Sequence, residues 1–371
     1  MMLGPILLAL MSFLFTVCSA CPPSNYTYAF TTNITTNSTN ALAPRFYGVP
    51  NQRGDTVYVG PWPITAFDPT TGIQEASVYY CYVGAWAVGN MPSIFGEVFS
   101  KWEPATSQSA LRFVPDPYCN GILECECSET NSRPDTLRIY KADQGASSSA
   151  RVGYQYNPKR AFTQVLRINM DNYNFADPAS RAKIIFEATH ELGHVVGLGH
   201  EHQRPDRDND IIFQCYNLDG YMEARAKVLW AIRYPDSAEM KIPECPRVEQ
   251  IDACMTNVVC MDLEYAEHFF PPAAQYVHGD SYWEHLTWET KGDHADFRSI
   301  MIYSSYRASK FNTGFPGGAV LIGKDSNGGT FEIFEGDSVD PKDAHLSQGD
   351  IEAVMRLYPK TIVKISGSGG W

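Results

Sequence analysis

The stretch His190-Glu191-Leu192-Gly193-His194-Val195-Val196-Gly197-Leu198-Gly199-His200 constrains this chain more than any other. Histidines four residues apart on a helix lie one turn apart on one face, so the rings of His190 and His194 can converge on one ion. His200 could not join them on a continuous helix. It would sit about 9 Å further along the axis and be rotated away. Gly197 removes the obstacle: a glycine can take a positive φ, end the helix and let the chain turn back, bringing His200 round as a third ligand. Gly199 adds freedom on the approach. The helix itself is well marked. Asp177 is its candidate cap and Pro178 suits its first turn. At about 100° per residue, Ile184, Ile185, Ala188, Leu192, Val195 and Val196 share one arc. His190 and His194 fall roughly opposite, so the apolar side can face a core while both imidazoles face a cleft.

Three neutral imidazoles leave a zinc ion its full charge and an open position. That is the arrangement for activating water, whose pKa falls to about 7 on such a metal. A structural zinc would be closed by a fourth protein ligand, often Cys. Glu191 adjoins His190 and is the candidate general base, taking a proton from the water and passing it to the leaving amine.

The rest of the 371-residue chain suits such a site. It is 44% hydrophobic and 19% charged, the profile of a chain with a sizeable core. A net charge of -13 argues against nucleic acid or an anionic membrane surface as the main partner. Residues 1–20 lack Asp, Glu, Lys and Arg and end in Ser19-Ala20, which reads as a secretory signal peptide. Its apolar run, Leu3 to Val17, is shorter than the roughly 20 residues that span a bilayer. Three glycosylation sequons follow at Asn25, Asn33 and Asn37. Losing Cys18 with the leader leaves nine of ten cysteines, read mostly as disulfide partners in an oxidising compartment. Cys125-Glu126-Cys127 is spaced too tightly for a usual zinc pair, which favours disulfides there too.

Residues 21–75 read as a glycosylated N-terminal segment and candidate propeptide, polar to about 45 and then turn-rich. Arg53-Gly54-Asp55 reads as a loop with a glycine turn. The compact domain is expected over 76–360. Strand-like runs lie at Val78–Val83, Leu111–Val114, Thr136–Tyr140 and Gln164–Ile168, with a helix predicted over Pro92–Trp102. Strands with scattered helices, without strict alternation, predict an α+β fold. Residues 361–371 read as a flexible tail.

The run HELGHVVGLGH fits the extended zinc signature of the metzincin metalloproteases. Its continuation Glu201-His202-Gln203-Arg204-Pro205-Asp206-Arg207-Asp208 resembles the astacin family, as do Ser299-Ile300-Met301-Ile302-Tyr303 (the Met-turn) and the closing Leu346-Ser347-Gln348-Gly349-Asp350 with Leu357-Tyr358. The resemblance implies a metzincin-like α+β fold. A twisted N-terminal sheet and the zinc helix would lie above a cleft, with an irregular C-terminal subdomain below. It implies a secreted zinc endopeptidase with one catalytic Zn2+ held by His190, His194 and His200, Glu191 as base, and a polypeptide substrate extended in the cleft. Tyr303 would be a switchable ligand that swings to stabilise the oxyanion, Met301 the floor beneath the metal, and Glu201 the anchor of the mature N-terminus or its surroundings. Ile302 stands where the family usually has His, and Pro359-Lys360 replaces a terminal Tyr-x-Cys. An insertion is expected over about 215–296, tied by its own cysteines. Asp55 is the nearest candidate for a propeptide aspartate. Arg307 and Lys310 would favour acidic residues after the scissile bond. His202, His268, His278, His285, His294 and His345 are expected to be surface or satisfied histidines. The alternative is a non-catalytic, zinc-containing secreted binding or adhesion glycoprotein on the same scaffold; retained Glu191 speaks against it. No stable membrane insertion is expected after signal removal, and nothing in the sequence sets the oligomeric state.

Overall fold

A computed structural model describes residues 52–53, 58–64, 66–67, 73–119, 125–127, 132–156, 163–171, 173–174, 176–278, 295–311, 315–325, 327–333 and 345–361. The signal peptide, the three sequons, Asp55, His285 and His294 lie outside them.

Among the described residues, nine strands precede the zinc helix: β1 (Gln52–Arg53), β2 (Tyr58–Gly60), β3 (Ala66–Phe67), β4 (Gln74–Tyr82), β5 (Leu111–Pro115), β6 (Leu137–Lys141), β7 (Ser149–Ala150), β8 (Tyr154–Tyr156) and β9 (Val165–Ile168). The main sheet runs β3-β4-β6-β9-β7, with β5 paired to β4. Strands β4, β5, β6 and β9 are mutually parallel where they pair, and β7 closes the edge antiparallel. Strand β4 is buried on both faces, with Ala76, Val78, Tyr80 and Tyr82 on one and Ser77 and Cys81 on the other. Burial on both faces is what an interior parallel strand requires.

Two helices cover the sheet. Helix α1 (Ala85–Thr106) starts seven residues before the predicted Pro92 and runs through both Pro92 and Pro104. Proline usually marks a first turn because its ring removes an internal hydrogen bond. Here the buried stripe Ala87, Met91, Ile94, Phe95, Val98 and Trp102 compensates for that loss. Helix α2 (Pro178–Val195) begins as expected, the Asp177 carboxylate accepting from the amides of Ala179 and Ser180. A C-terminal helix, Gln348–Leu357, packs against α1. Its capping box joins Ser347 and Asp350 reciprocally.

Below the sheet lies a second core. It contains β10 (Ile211–Phe213), α3 (Tyr221–Arg233), short helices through Ala274, and the strands β11 (Leu321–Lys324) and β12 (Thr330–Glu332), with β11 paired antiparallel to both β10 and β12. Cys215–Cys260 and Cys245–Cys254 tie this segment internally, while Cys81–Cys127 and Cys119–Cys125 staple the sheet end. Both cysteines of Cys125-Glu126-Cys127 are therefore held in disulfides. The chain is α+β, an N-terminal sheet and zinc helix above a less regular C-terminal part. Among the described residues no helix is long and apolar enough to cross a membrane.

Trp62 connects the N-terminal segment to this scaffold. Its indole Nε1 donates to the Val195 carbonyl at the end of α2 (2.8 Å), and its ring lies 5.1 Å from that of Tyr154. Tyr358 closes the same corner: its hydroxyl accepts from the Trp62 amide and donates to the Val196 carbonyl. Replacing Trp62 with Phe in the full-length chain removes one buried hydrogen bond at a helix end, which costs about 1 kcal/mol. The expected result is a thermal midpoint lowered by roughly 2–4 °C, with zinc content unchanged, as read by calorimetry and metal analysis.

Candidate active site

Helix α2 ends where the sequence requires. Gly197 has φ 101°. The turn is closed by Gly197 N to the His194 carbonyl (2.8 Å) and by Leu198 N to the Gly193 carbonyl (2.9 Å). Gly199 has no positive φ, so Gly197 alone makes the reversal. The turn does two things. It brings His200 back to the pair, and it returns the Leu198 carbonyl to Nδ1 of His194 at 2.9 Å.

The three imidazoles meet. Nε2 of His200 lies 3.2 Å from Nε2 of His190 and 3.1 Å from Nε2 of His194. Each ring has an oxygen at its other nitrogen: the Ile300 carbonyl at 2.7 Å for His190, the Leu198 carbonyl for His194, and Gln203 Oε1 at 3.0 Å for His200. A carbonyl or amide oxygen accepts only, so each Nδ1 carries the proton and each Nε2 presents a lone pair. Three lone pairs turned on one another are repulsive unless a cation lies between them. With zinc–nitrogen bonds of about 2.0–2.1 Å and tetrahedral angles, ligand nitrogens sit about 3.3 Å apart, close to the spacing here. The donors therefore fit one zinc ion, and these three are the only such cluster of metal-binding groups among the described residues.

Burial supports the same state. It pushes the His194 imidazole down to about 4. Burial, then the neighbouring His194, holds His190 and His200 well below the ordinary histidine value. All three rings are neutral ligands at neutral pH.

Below the pair, the Met301 side chain presses on α2 at Gly193. A Cβ built on Gly193 would collide with Met301 Sδ and lie 3.3 Å from its Cε. Gly193 thus lets the Met-turn approach the helix between the two ligands. Glu191 is buried beside His190, at 7% exposure. The half-buried Tyr303 ring stands 4.6 Å from that of His200 and 6.1 Å from that of His190. Its hydroxyl donates to Gln275 Oε1 at 3.3 Å.

Other expected roles sort themselves by geometry. His202 is a satisfied histidine: Nε2 donates to the Gln275 carbonyl and Nδ1 accepts from the Tyr303 amide. His278 pairs with Asp208. Glu201 Oε1 accepts from Arg204 Nη1 (2.7 Å) and from the Asp296 amide (3.0 Å). Burial pushes its carboxyl up, to about 7, against the pull of Arg204. Lys310 is exposed and donates to the Tyr216 carbonyl, whereas Arg307, also exposed, holds its guanidinium 5.5 Å over the Tyr303 ring. Ile302, at the family's usual His position, is buried in the lower core. Sequence reasoning misses Gln203 and Gln275. Gln203 carries a signal in its spacing of three residues from His200; Gln275 carries no local signal.

The family model for the Astacin peptidase family matches residues 85–229, which include both helices of the sheet layer and all three histidines. This stretch is similar to the astacin family. It is 30% identical over 115 residues to astacin-like metalloprotease toxin 2 of Loxosceles intermedia, a match spanning 31% of this chain and 37% of the toxin. Among solved structures, high choriolytic enzyme 1, a hatching enzyme zinc-protease from Oryzias latipes (Medaka fish), is 14% identical, with 79% of this chain and 92% of that chain covered and a TM-score of 0.38. Myroilysin is 15% identical, with 79% and 98% covered and a TM-score of 0.35.

The contact between Gly193 and Met301 is testable as a cycle. Gly193→Ala gains about 1 kcal/mol of helix propensity but overpacks Met301, at about 1–3 kcal/mol. The substitution should be neutral to destabilising in the native chain and stabilising beside Met301→Ala, in urea unfolding of all four proteins. Equal effects in both backgrounds would show that the two residues do not couple.

Proposed function

We propose that this chain is a secreted zinc endopeptidase. The observation that carries the reading is the convergence of three unprotonated Nε2 atoms beside a buried glutamate. Zinc held there supplies a Lewis acid that lowers the pKa of water and polarises a carbonyl. His190, His194 and His200 hold it as neutral ligands, each fixed by an oxygen at Nδ1. Glu191 takes the proton of the attacking water and gives it to the leaving amine. Tyr303 leaves Gln275 and donates its hydroxyl proton in a hydrogen bond to the developing oxyanion. A binding module would need the histidines but not the carboxylate, so the retained Glu191 supports catalysis. The signal-like residues 1–20, the sequons and the disulfides support secretion. We take residues 76–360 as the protease domain, with an insertion at about 215–296, and residues 21–75 as a candidate propeptide. The docking of Trp62 on the end of α2 supports a segment held against the domain.

The deciding experiment is cleavage of a denatured protein by the purified secreted chain, with zinc measured alongside. Glu191→Ala should lose about 10²–10⁴-fold in rate with zinc retained. Tyr303→Phe should lose about 10²–10³-fold in kcat with KM little changed. Full zinc with no cleavage by any form, including material whose N-terminus has been trimmed, would favour the binding module.

Arg307 stands over the Tyr303 ring and Lys310 is engaged by the Tyr216 carbonyl, so we assign the preference for acidic residues after the scissile bond to Arg307 alone. In a peptide library, Arg307→Ala should lose that preference and Lys310→Ala should keep it. A preference that survives Arg307→Ala would end this assignment.

A further inference from the structure

We propose that Asp350, on the C-terminal helix, is a positioning residue for the zinc ligand His190. The inference rests on reading His190 as a ligand. Asp350 is 5% exposed and 160 positions from His190 in sequence, yet three hydrogen bonds join them. Its Oδ1 accepts from the Ser299 hydroxyl at 2.7 Å. The oxygen of that hydroxyl accepts from the Met301 amide at 3.0 Å. The Met301 amide and the Ile300 carbonyl belong to one peptide plane, and that carbonyl accepts Nδ1–H of His190 at 2.7 Å. The second carboxylate oxygen of Asp350, Oδ2, accepts from the amides of Ile300 (2.9 Å) and Ser347 (2.9 Å), which pins Ile300 from the other side.

The carboxylate has a chemical reason to be there. Ionised, it can only accept, so the Ser299 proton must point at Asp350. That leaves a Ser299 lone pair for Met301 N, which sets the tilt of the peptide whose oxygen faces His190. The result is a carboxylate–histidine pair relayed through one hydroxyl and one peptide. Direct pairs of this kind fix the tautomer of a ligating imidazole and raise the basicity of its metal-bound nitrogen, and their loss typically weakens metal binding about 10–100-fold. Hydrogen bonds in such a chain polarise one another. Asn at 350 keeps the shape but has one acceptor oxygen. Its NH2 must then face either the Ser299 hydroxyl or the two amide N–H groups, so one arm of the relay breaks.

The test measures zinc affinity of the full-length chain by competition with a chromophoric chelator, independently of proteolysis. Asp350→Asn should raise the zinc Kd by about tenfold, and Ser299→Ala should raise it in the same direction by several-fold. Val354→Ala, a buried truncation on the same helix, should lower the thermal midpoint and leave the zinc Kd within twofold. In a His190→Ala background, Asp350→Asn should have no further effect on zinc. A Kd unchanged in folded Asp350→Asn overturns the proposal, as does an equal loss in Val354→Ala or a full Asp350→Asn effect without His190. If Asp350→Asn does not fold, an unchanged Kd in Ser299→Ala overturns it alone. Failure of the zinc reading would look different: the parent chain would bind no zinc, or His190→Ala would bind it as well as the parent.

Discussion

Everything in this fold that concerns the site follows from one arrangement: three imidazole lone pairs aimed at a common point, each locked by a proton given away at the opposite nitrogen. An imidazole alone is indifferent to which nitrogen carries its proton. Three oxygens remove that freedom, and they come from three different places. Ile300 supplies one from the Met-turn, Leu198 one from the turn that ends α2, and Gln203 one from the segment after His200. Burial removes the remaining alternative, protonation, by making the charged ring costly. The protein thus commits two backbone carbonyls and one side-chain amide to the outer nitrogens so that the inner ones have nothing to bind but a cation.

The Met-turn shows how the two cores are joined at this point. Ile300 and Met301 belong to the core shared by the sheet and its helices, while Ile302 belongs to the lower core and Tyr303 packs against it. Successive residues therefore face opposite halves of the molecule, with the His190 ring held between. A shift of either half would move the Ile300 carbonyl, and with it the ring it orients. This dependence explains why the site is framed by such tight contacts as Met301 on Gly193, where a single methyl group has no room.

Local features of this site are legible in the sequence, and distant ones are not. The Asp177 cap, the face shared by His190 and His194, and the reversal at Gly197 all depend on residues within a turn or two of each other, where spacing fixes geometry. Sequence places the start of α1 too late because Pro92 resembles a first-turn proline; only the packing of Ala87 and Met91 on the sheet shows that the helix begins earlier. Gln275, Trp62 and Asp350 lie 73, 133 and 50 positions from the partners that give them meaning. No local period encodes such contacts. The cysteines indicate the compartment but not the pairing, since loop closure alone does not choose among partners.

The Arg-x-Asp-Arg-Asp run after His200 has the composition of a charged binding surface, but its partners argue otherwise. Arg204 forks onto both oxygens of Asp206 and also reaches Glu201. Arg207 is fully buried and donates to the carbonyls of His202 and Tyr276. Guanidinium groups so placed are held by fixed acceptors and cannot be withdrawn cheaply, because breaking a buried pair strands the remaining charge. Arg204 ties the run to itself, and Arg207 sews it to the lower core through Tyr276. His202 and Tyr276, whose rings both pack on that of Tyr303, are held by the same arginine. The charge of this run is therefore structural, and it places Tyr303 beside the ligands as surely as Gly197 places His200.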